Sequence, residues 1–174
     1  MSRNVEIKAK VQNHDETVRR AIEISGKQPI ILKQHDIFYE SPNGRLKMRS
    51  IEENGVTHSE LIWYDRPDTT GPKLSKFNKF DIPSKIVDAL KLSLQSSMGI
   101  KGEVKKIRTL LLHEQTRIHI DRVDGLGDFI ELEVCLEPDQ TLEYGEIKAQ
   151  EIREQLAVAP SDLLAGAYID MLEV

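Results

Sequence analysis

The sequence predicts an α+β fold, in which eight antiparallel strands form a β-barrel or strongly curved sheet and amphipathic helices pack on its outside. Three observations lead there. Segments with a period of two recur along the whole chain, interrupted by a few stretches of helical spacing. Several of these segments are joined by short turns rich in Gly and Asn, which return the chain antiparallel. Strand after strand also carries ionisable side chains on one face and branched apolar ones on the other. The apolar faces can receive the helices, which leaves the charged faces to line the inside of the curve.

Taken in order, the strands are Val5 to Val11, Ile37 to Tyr39, Leu46 to Ser50, Glu60 to Asp65, Leu74 to Phe80, Val104 to His113, Gln115 to Asp121 and Phe129 to Leu136. Pro42-Asn43-Gly44, Glu53-Asn54-Gly55 and Asp124-Gly125-Leu126-Gly127 are the hairpin connectors. The first helix starts after Asn13, with Glu16 placed for a capping box and Val18, Ala21 and Ile22 as its apolar stripe. A second carries Ile82, Ile86, Leu90 and Leu94, with Pro83 near its first turn, where a missing N–H costs little. Ile147, Ile152 and Leu156 mark a third. Ser161 caps a fourth, with Leu163, Leu164, Ala167, Tyr168 and Met171 on its apolar face.

At 174 residues the chain is long enough to bury a real core, and residues 1–174 are expected to form one domain. A hydrophobic share of 39% and a charged share of 30% are ordinary for a soluble protein and argue against a disordered or membrane-spanning class. No apolar run approaches a spanning length and the polar start "MSRNVEIKAK" does not read as a signal peptide, so a cytoplasmic location with no membrane association is expected. The single Cys135 fits that compartment, since one thiol builds no intrachain disulfide. A net charge of −5 speaks against nucleic acid as a partner, although it leaves room for a small anion in a local basic pocket.

The charged faces are partly segregated by sign. Lys8 and Lys10 follow Asn4 and Glu6 in the first strand; Lys47 and Arg49 alternate with Leu46 and Met48; Lys106 and Arg108 flank Ile107. Arg117, His119 and Asp121 share a face in "TRIHIDRV", and Glu131 and Glu133 share one in "DFIELEV". Brought inside a barrel, two carboxylates about 4 Å apart repel by about 4 kcal/mol at an effective dielectric near 20, so Glu6, Asp121, Glu131 and Glu133 together ask for a hard divalent cation. Arginine forks and lysine ammoniums facing the same cavity suit a polyanion rich in phosphoryl oxygens. A polyphosphate with Mg²⁺ or Mn²⁺ answers both demands.

These residues resemble a known family. "NVEIK" is similar to the N-terminal Glu-x-Glu-x-Lys signature of CYTH domains, or triphosphate tunnel metalloenzymes, and "GRLKMR", "KKIR", "TRIHIDRVDGLGDFIELEV" and "AYIDML" follow in the family's order. The resemblance covers nearly the whole chain. It implies an eight-stranded antiparallel tunnel that binds a triphosphate and divalent metal, as in class IV adenylyl cyclases and thiamine and inorganic triphosphatases. It implies Glu6, Glu131 and Glu133 as metal ligands, with Asp121 assisting a second metal or its water. Lys8, Lys47, Arg49, Lys106 and Arg108 would hold phosphates, with Arg117 a further contact. Two positions depart from the pattern: Asn4 replaces the first signature Glu, and Tyr64 in "ELIWYDRP" stands near where relatives place a phosphate-binding lysine, with Arg66 two residues on as a substitute.

Other residues read as bystanders. His119 is expected to be a hydrogen-bonding neighbour of Arg117 and Asp121, Trp63 a core residue beside Leu61, and His35, His58, His113 and Cys135 have no spacing that assembles a transition-metal site. The expected chemistry is metal-assisted phosphoryl transfer to water, with Asp121, Glu131 and Glu133 as the catalytic carboxylates and a small-molecule triphosphate as substrate. An adenylyl cyclase, in which the substrate's own 3′-hydroxyl attacks, and a non-catalytic polyphosphate-binding module are the alternatives.

Overall fold

The computed structural model describes residues 1–172. Nine strands and four helices are laid out in the order β1 (Ser2–Lys10), α1 (His14–Ser25), β2 (Ile30–Tyr39), β3 (Arg45–Glu53), β4 (Val56–Asp65), β5 (Lys73–Ile82), α2 (Val87–Met98), β6 (Ile100–His113), β7 (Thr116–Val123), β8 (Gly127–Cys135), α3 (Leu142–Gln155), β9 (Leu163–Leu164) and α4 (Tyr168–Leu172). Every strand pairing is antiparallel, in the order β5-β4-β3-β2-β6-β7-β8-β1, and β1 pairs again with β5 to close an eight-stranded barrel. The closing seam is short. It runs from Ser2↔Phe77 to Glu6↔Lys73, after which the two-residue β9 takes over the free edge of β1 at Lys8 and Ala9.

Local chemistry explains the turns. Asn54 and Gly55 adopt φ of 50° and 79°, the left-handed pair that a two-residue hairpin between β3 and β4 requires. Asn13 accepts a hydrogen bond from the Glu16 amide and starts α1, while Gly26, left-handed at φ 62°, ends it. The Glu16 side chain does not return the bond as a full capping box would, because it is taken by Arg19 and Arg20.

The apolar faces of β1, β7 and β8 point outward under α1 and α3, burying Val5, Ile7, Ile118, Ile120, Ile130, Leu132, Ala149 and Ile152 in the largest core. A second layer puts Val87, Leu90, Leu94 and Met98 of α2 against Ile37, Tyr39 and Met48. Leu32, Ile51 and Leu110 sit on the same pleat face as Arg108 and form an apolar layer within the barrel.

Five sequence expectations need correction. Helix α2 begins only at Val87: Ile82 ends β5 and packs against the helix from there, and Ile86 lies in a 3-10 turn and is largely exposed, so neither belongs to the helix's own stripe. β2 extends seven residues further toward the N-terminus than the three residues Ile37 to Tyr39, bringing in Asp36. The fourth helix is instead a 3-10 turn at Pro160–Asp162, the short β9, a left-handed Gly166 at φ 79° and only then α4, since Gly166 breaks the helical run that the apolar spacing implies. Ile147 is half exposed rather than part of the buried stripe of α3, which is made by Gly145, Ala149 and Ile152. Trp63 is only half-buried: its indole lies over the β2–β3 turn and donates to the Asn43 carbonyl at 2.8 Å. No helix among the described residues is long and apolar enough to cross a membrane.

Candidate active site

The pleat turns alternate residues of all eight barrel strands inward around a cavity of about 240 Å³. Its lining carries Glu6 and Lys8 from β1, Asp36 from β2, Lys47 and Arg49 from β3, Lys106 and Arg108 from β6, Arg117 and His119 from β7, and Glu131 and Glu133 from β8, together with Arg66 just beyond β4. The register explains the assembly: Glu6 lies opposite Glu133, Lys8 opposite Glu131 and Arg117 opposite Glu133, so the three glutamates share one wall. Tyr64, Phe38, Phe77 and Ile62 complete an apolar side of the same cavity.

The wall opposite is organised by Asp36, a residue that sequence reasoning missed. Its carboxylate accepts two hydrogen bonds from Arg49 at 2.7 and 2.8 Å, one from Lys47 at 3.0 Å and one from Lys106 at 3.2 Å. Burial opposes this carboxylate's charge, but Arg49, Lys106 and Lys47 together hold it well below the usual carboxylate range. One anion for three cations leaves net positive charge in the cavity. The lysines register it: burial, with Arg49 and Arg108 adding and Asp36 opposing, pulls Lys106 down to about 7, and burial with Arg49 pulls Lys47 down to about 8.

On the acidic wall, Glu131 receives Lys8 at 3.3 Å and Arg108 at 3.1 Å, while Glu6 pairs with Arg66 at 3.0 Å and Glu133 lies 3.7 Å from Arg117. Burial, with Glu133 and Glu131 nearby and only Arg66 and Lys8 opposing, pushes Glu6 up to about 7. Glu131, despite its burial, is held well below the ordinary range by Lys8, by the neighbouring His119 ring and by Arg108. His119, lowered by burial and by Arg108, has a buried Nδ1 with no hydrogen-bond partner, 3.7 Å from Glu131 Oε2 and 3.8 Å from Glu133 Oε1. The Asn4 amide oxygen is buried and unpartnered in the same cavity. Three carboxylates converging beside the unpartnered Asn4 amide oxygen and the unpartnered His119 ring nitrogen fit a divalent cation at Glu6, Glu131 and Glu133.

Asp121 behaves differently. It faces inward, as the strand alternation requires, yet it does not line the cavity: Arg108 donates to both its oxygens at 2.8 and 2.7 Å, and the Tyr168 hydroxyl donates at 2.9 Å. Both its oxygens are engaged by these donors and the side chain is fully buried, so in this arrangement it is paired with Arg108 and Tyr168 rather than facing the open space. Lys73 was also unforeseen as an interior group; it is buried beside the site and donates to the Thr69 carbonyl at 2.7 Å.

The chain after β9 closes one end. Lys8 and Arg66 donate to the Gly166 carbonyl at 3.0 and 2.9 Å, and the Lys8 ammonium stands 4.1 Å above the Tyr168 ring. His58 departs from its expected isolation, since Glu60 and Asp81 bring ligand atoms within 4.8 Å of it, a neighbourhood hidden in sequence because Asp81 arrives from β5. Cys135 likewise lines the main cavity.

A closed barrel whose inner face carries a basic wall, an acidic wall and one shared cavity defines a class of polyanion- and metal-binding tunnel proteins. The CYTH domain model matches residues 2–168, and this chain belongs to the CYTH family. It is 26% identical to "Putative adenylate cyclase MJ0240" of Methanocaldococcus jannaschii, over 96% of this chain and 97% of the relative. Among solved structures it is similar to the PH1012 protein of Pyrococcus horikoshii, with a TM-score of 0.79 and 22% identity over 96% of this chain and 98% of that one. It is also similar to HpAC1 from Hippeastrum, an adenylyl cyclase candidate with a dominant triphosphatase activity, at a TM-score of 0.64 and 12% identity over 99% and 95% of the two chains. These likenesses show the triphosphate tunnel fold.

Proposed function

We propose that this protein is a divalent-metal-dependent hydrolase of triphosphates, acting on tripolyphosphate or on an organic triphosphate such as a nucleotide or thiamine triphosphate. The observation that carries the reading is the convergence of Lys8, Lys47, Arg49, Arg66, Lys106, Arg108 and Arg117 on one cavity beside three glutamates. With Lys79 at the rim, eight cations line the cavity and exceed what its carboxylates, Glu6, Asp36, Glu131 and Glu133, neutralise. A small polyanion supplies the missing charge.

Substrate phosphoryl oxygens take hydrogen bonds from Arg49, Lys47 and Lys106, which Asp36 holds ready, and from Arg108, whose fork is fixed by Asp121. Because these donors are already ordered, little side-chain entropy is lost when phosphate replaces part of their pairing. Asp121 thus serves as a positioning residue for Arg108. Glu6, Glu131 and Glu133 would hold Mg²⁺ or Mn²⁺, which would supply Lewis acidity toward the phosphoryl oxygens. Arg108 reaches Glu131 at 3.1 Å and so spans the basic and acidic walls, where it neutralises charge growing on the departing phosphate.

A cyclase reading draws on the apolar side formed by Phe38, Tyr64, Phe77 and Ile62, which offers a base a surface to rest on. The two are separated by incubating the purified protein with tripolyphosphate, ATP and thiamine triphosphate, with Mg²⁺ or Mn²⁺ and with chelator, while measuring phosphate and cyclic AMP. Metal-dependent phosphate release supports the hydrolase. Cyclic AMP from ATP replaces it with the cyclase, and binding without turnover makes the protein a non-catalytic polyphosphate module.

A further inference from the structure

We infer that His119 is a metal ligand, giving the glutamate site one nitrogen donor and with it a preference for Mn²⁺ and other nitrogen-seeking cations over Mg²⁺. This rests on the metal-dependent reading of the cavity and adds a residue that the three-glutamate site does not include. His119 is 1% exposed, yet its Nδ1 has no hydrogen-bond partner. That atom points between Glu131 Oε2 at 3.7 Å and Glu133 Oε1 at 3.8 Å, and one ligand atom from each of the three residues lies within 4.8 Å of the others. Ligands bound at about 2.1 Å at right angles around one cation stand about 3 Å apart, so a small contraction of this triangle encloses an ion.

The other ring nitrogen is also accounted for. Nε2 lies 3.4 Å from Arg117 Nε, which donates to it weakly, and this contact favours a ring whose proton sits on Nδ1. Ligation moves that proton to Nε2, so no proton is gained or lost by the ring, and the Arg117 N–H must turn away. Arg117 is free to do so, being 39% exposed at the side chain and close to Glu133 at 3.7 Å. Metal binding is thereby linked to release of Arg117 from the ring. Imidazole raises affinity for Mn²⁺, Co²⁺ and Ni²⁺ more than for Mg²⁺, which favours oxygen and retains its waters. A histidine that only donated a hydrogen bond to the glutamates would support all four cations alike.

The test loads the wild-type protein with one equivalent of Mn²⁺ and records the electron spin-echo modulation of the bound ion. A directly coordinated imidazole gives a strong ¹⁴N coupling, and that coupling is expected to vanish in His119→Gln. Calorimetry on the same proteins is expected to show Mn²⁺ and Co²⁺ affinities at least tenfold lower in His119→Gln and Mg²⁺ affinity changed by less than threefold. Bound Mn²⁺ with no ¹⁴N coupling in the wild type overturns the inference whatever the variant does, and so do equal losses for all cations. If that happens while metal-dependent phosphate release persists, only the inference falls; if the wild type binds no divalent cation, the inference and the hydrolase reading fall together.

Discussion

Asp36 shows how one side chain organises half of the site. It is 1% exposed and shared by Lys47, Arg49 and Lys106, so removing its charge leaves three cations facing each other in a confined space. Asp36→Asn is expected to destabilise the protein by about 3–5 kcal/mol, the usual cost of breaking a buried ion pair. Tripolyphosphate should restore more melting temperature to this variant than to the wild type, because the polyanion replaces the lost counter-charge. Thermal melts with and without tripolyphosphate check both effects, and equal shifts in the two proteins would place the anion elsewhere. The lysines beside it make binding pH-dependent. Lys106 at about 7 and Lys47 at about 8 lose charge as pH rises through those values in the free protein, whereas a bound polyanion favours the ammonium forms. Tripolyphosphate affinity should therefore fall from pH 6 to pH 9, with proton uptake on binding at pH 8. Calorimetry in two buffers of different ionisation heat measures that uptake, and heats independent of buffer would contradict it.

At the scale of elements, the strands with one wet and one dry face were legible in the sequence. β1, β7 and β8 alternate cleanly because α1 and α3 cover their outer faces while charged residues fill the inner one. The first half of β2 was not. In "LKQHD" the inner Gln34 and Asp36 and the outer Lys33 and His35 are all polar, with Lys33 exposed and His35 only half-buried, so no alternation marks the strand and Asp36 stayed hidden. The chain end misled for the opposite reason: Leu163, Leu164, Ala167 and Tyr168 are apolar at helical spacing, but a strand pairing with β1 and the cavity itself claim them. Helix α3 supplies a packing test. A Cβ on Gly145 would collide with the Val5 side chain and meet Leu136 at 2.9 Å, so α3 lies against β1 only because that position has no side chain. Gly145→Ala should cost about 1–3 kcal/mol through overpacking, outweighing its better helix propensity. A melting temperature that rises in this variant would show that α3 can move away from the barrel freely.

For the whole molecule, the formal charge of −5 conceals an interior of the opposite sign. Acidic side chains dominate the sum, while the tunnel gathers the eight cations that line it, and burial makes most of them costly in the absence of a counter-anion. The sequence revealed which residues face inward, since parity along a strand follows from the pleat. It did not reveal that Arg108 and Tyr168 would shield Asp121, or that Asp36 would neutralise one wall, because both depend on which strands become neighbours. The central claim is that this tunnel is built for a chain of phosphates joined to a divalent cation. Calorimetric titration with phosphate, diphosphate and tripolyphosphate, each with Mg²⁺, with Mn²⁺ and with chelator, tests it most directly. The account predicts one site per chain, affinity rising at each added phosphate, and a further gain with metal that Glu131→Gln removes. Affinity independent of phosphate number, or unchanged by metal, would contradict it.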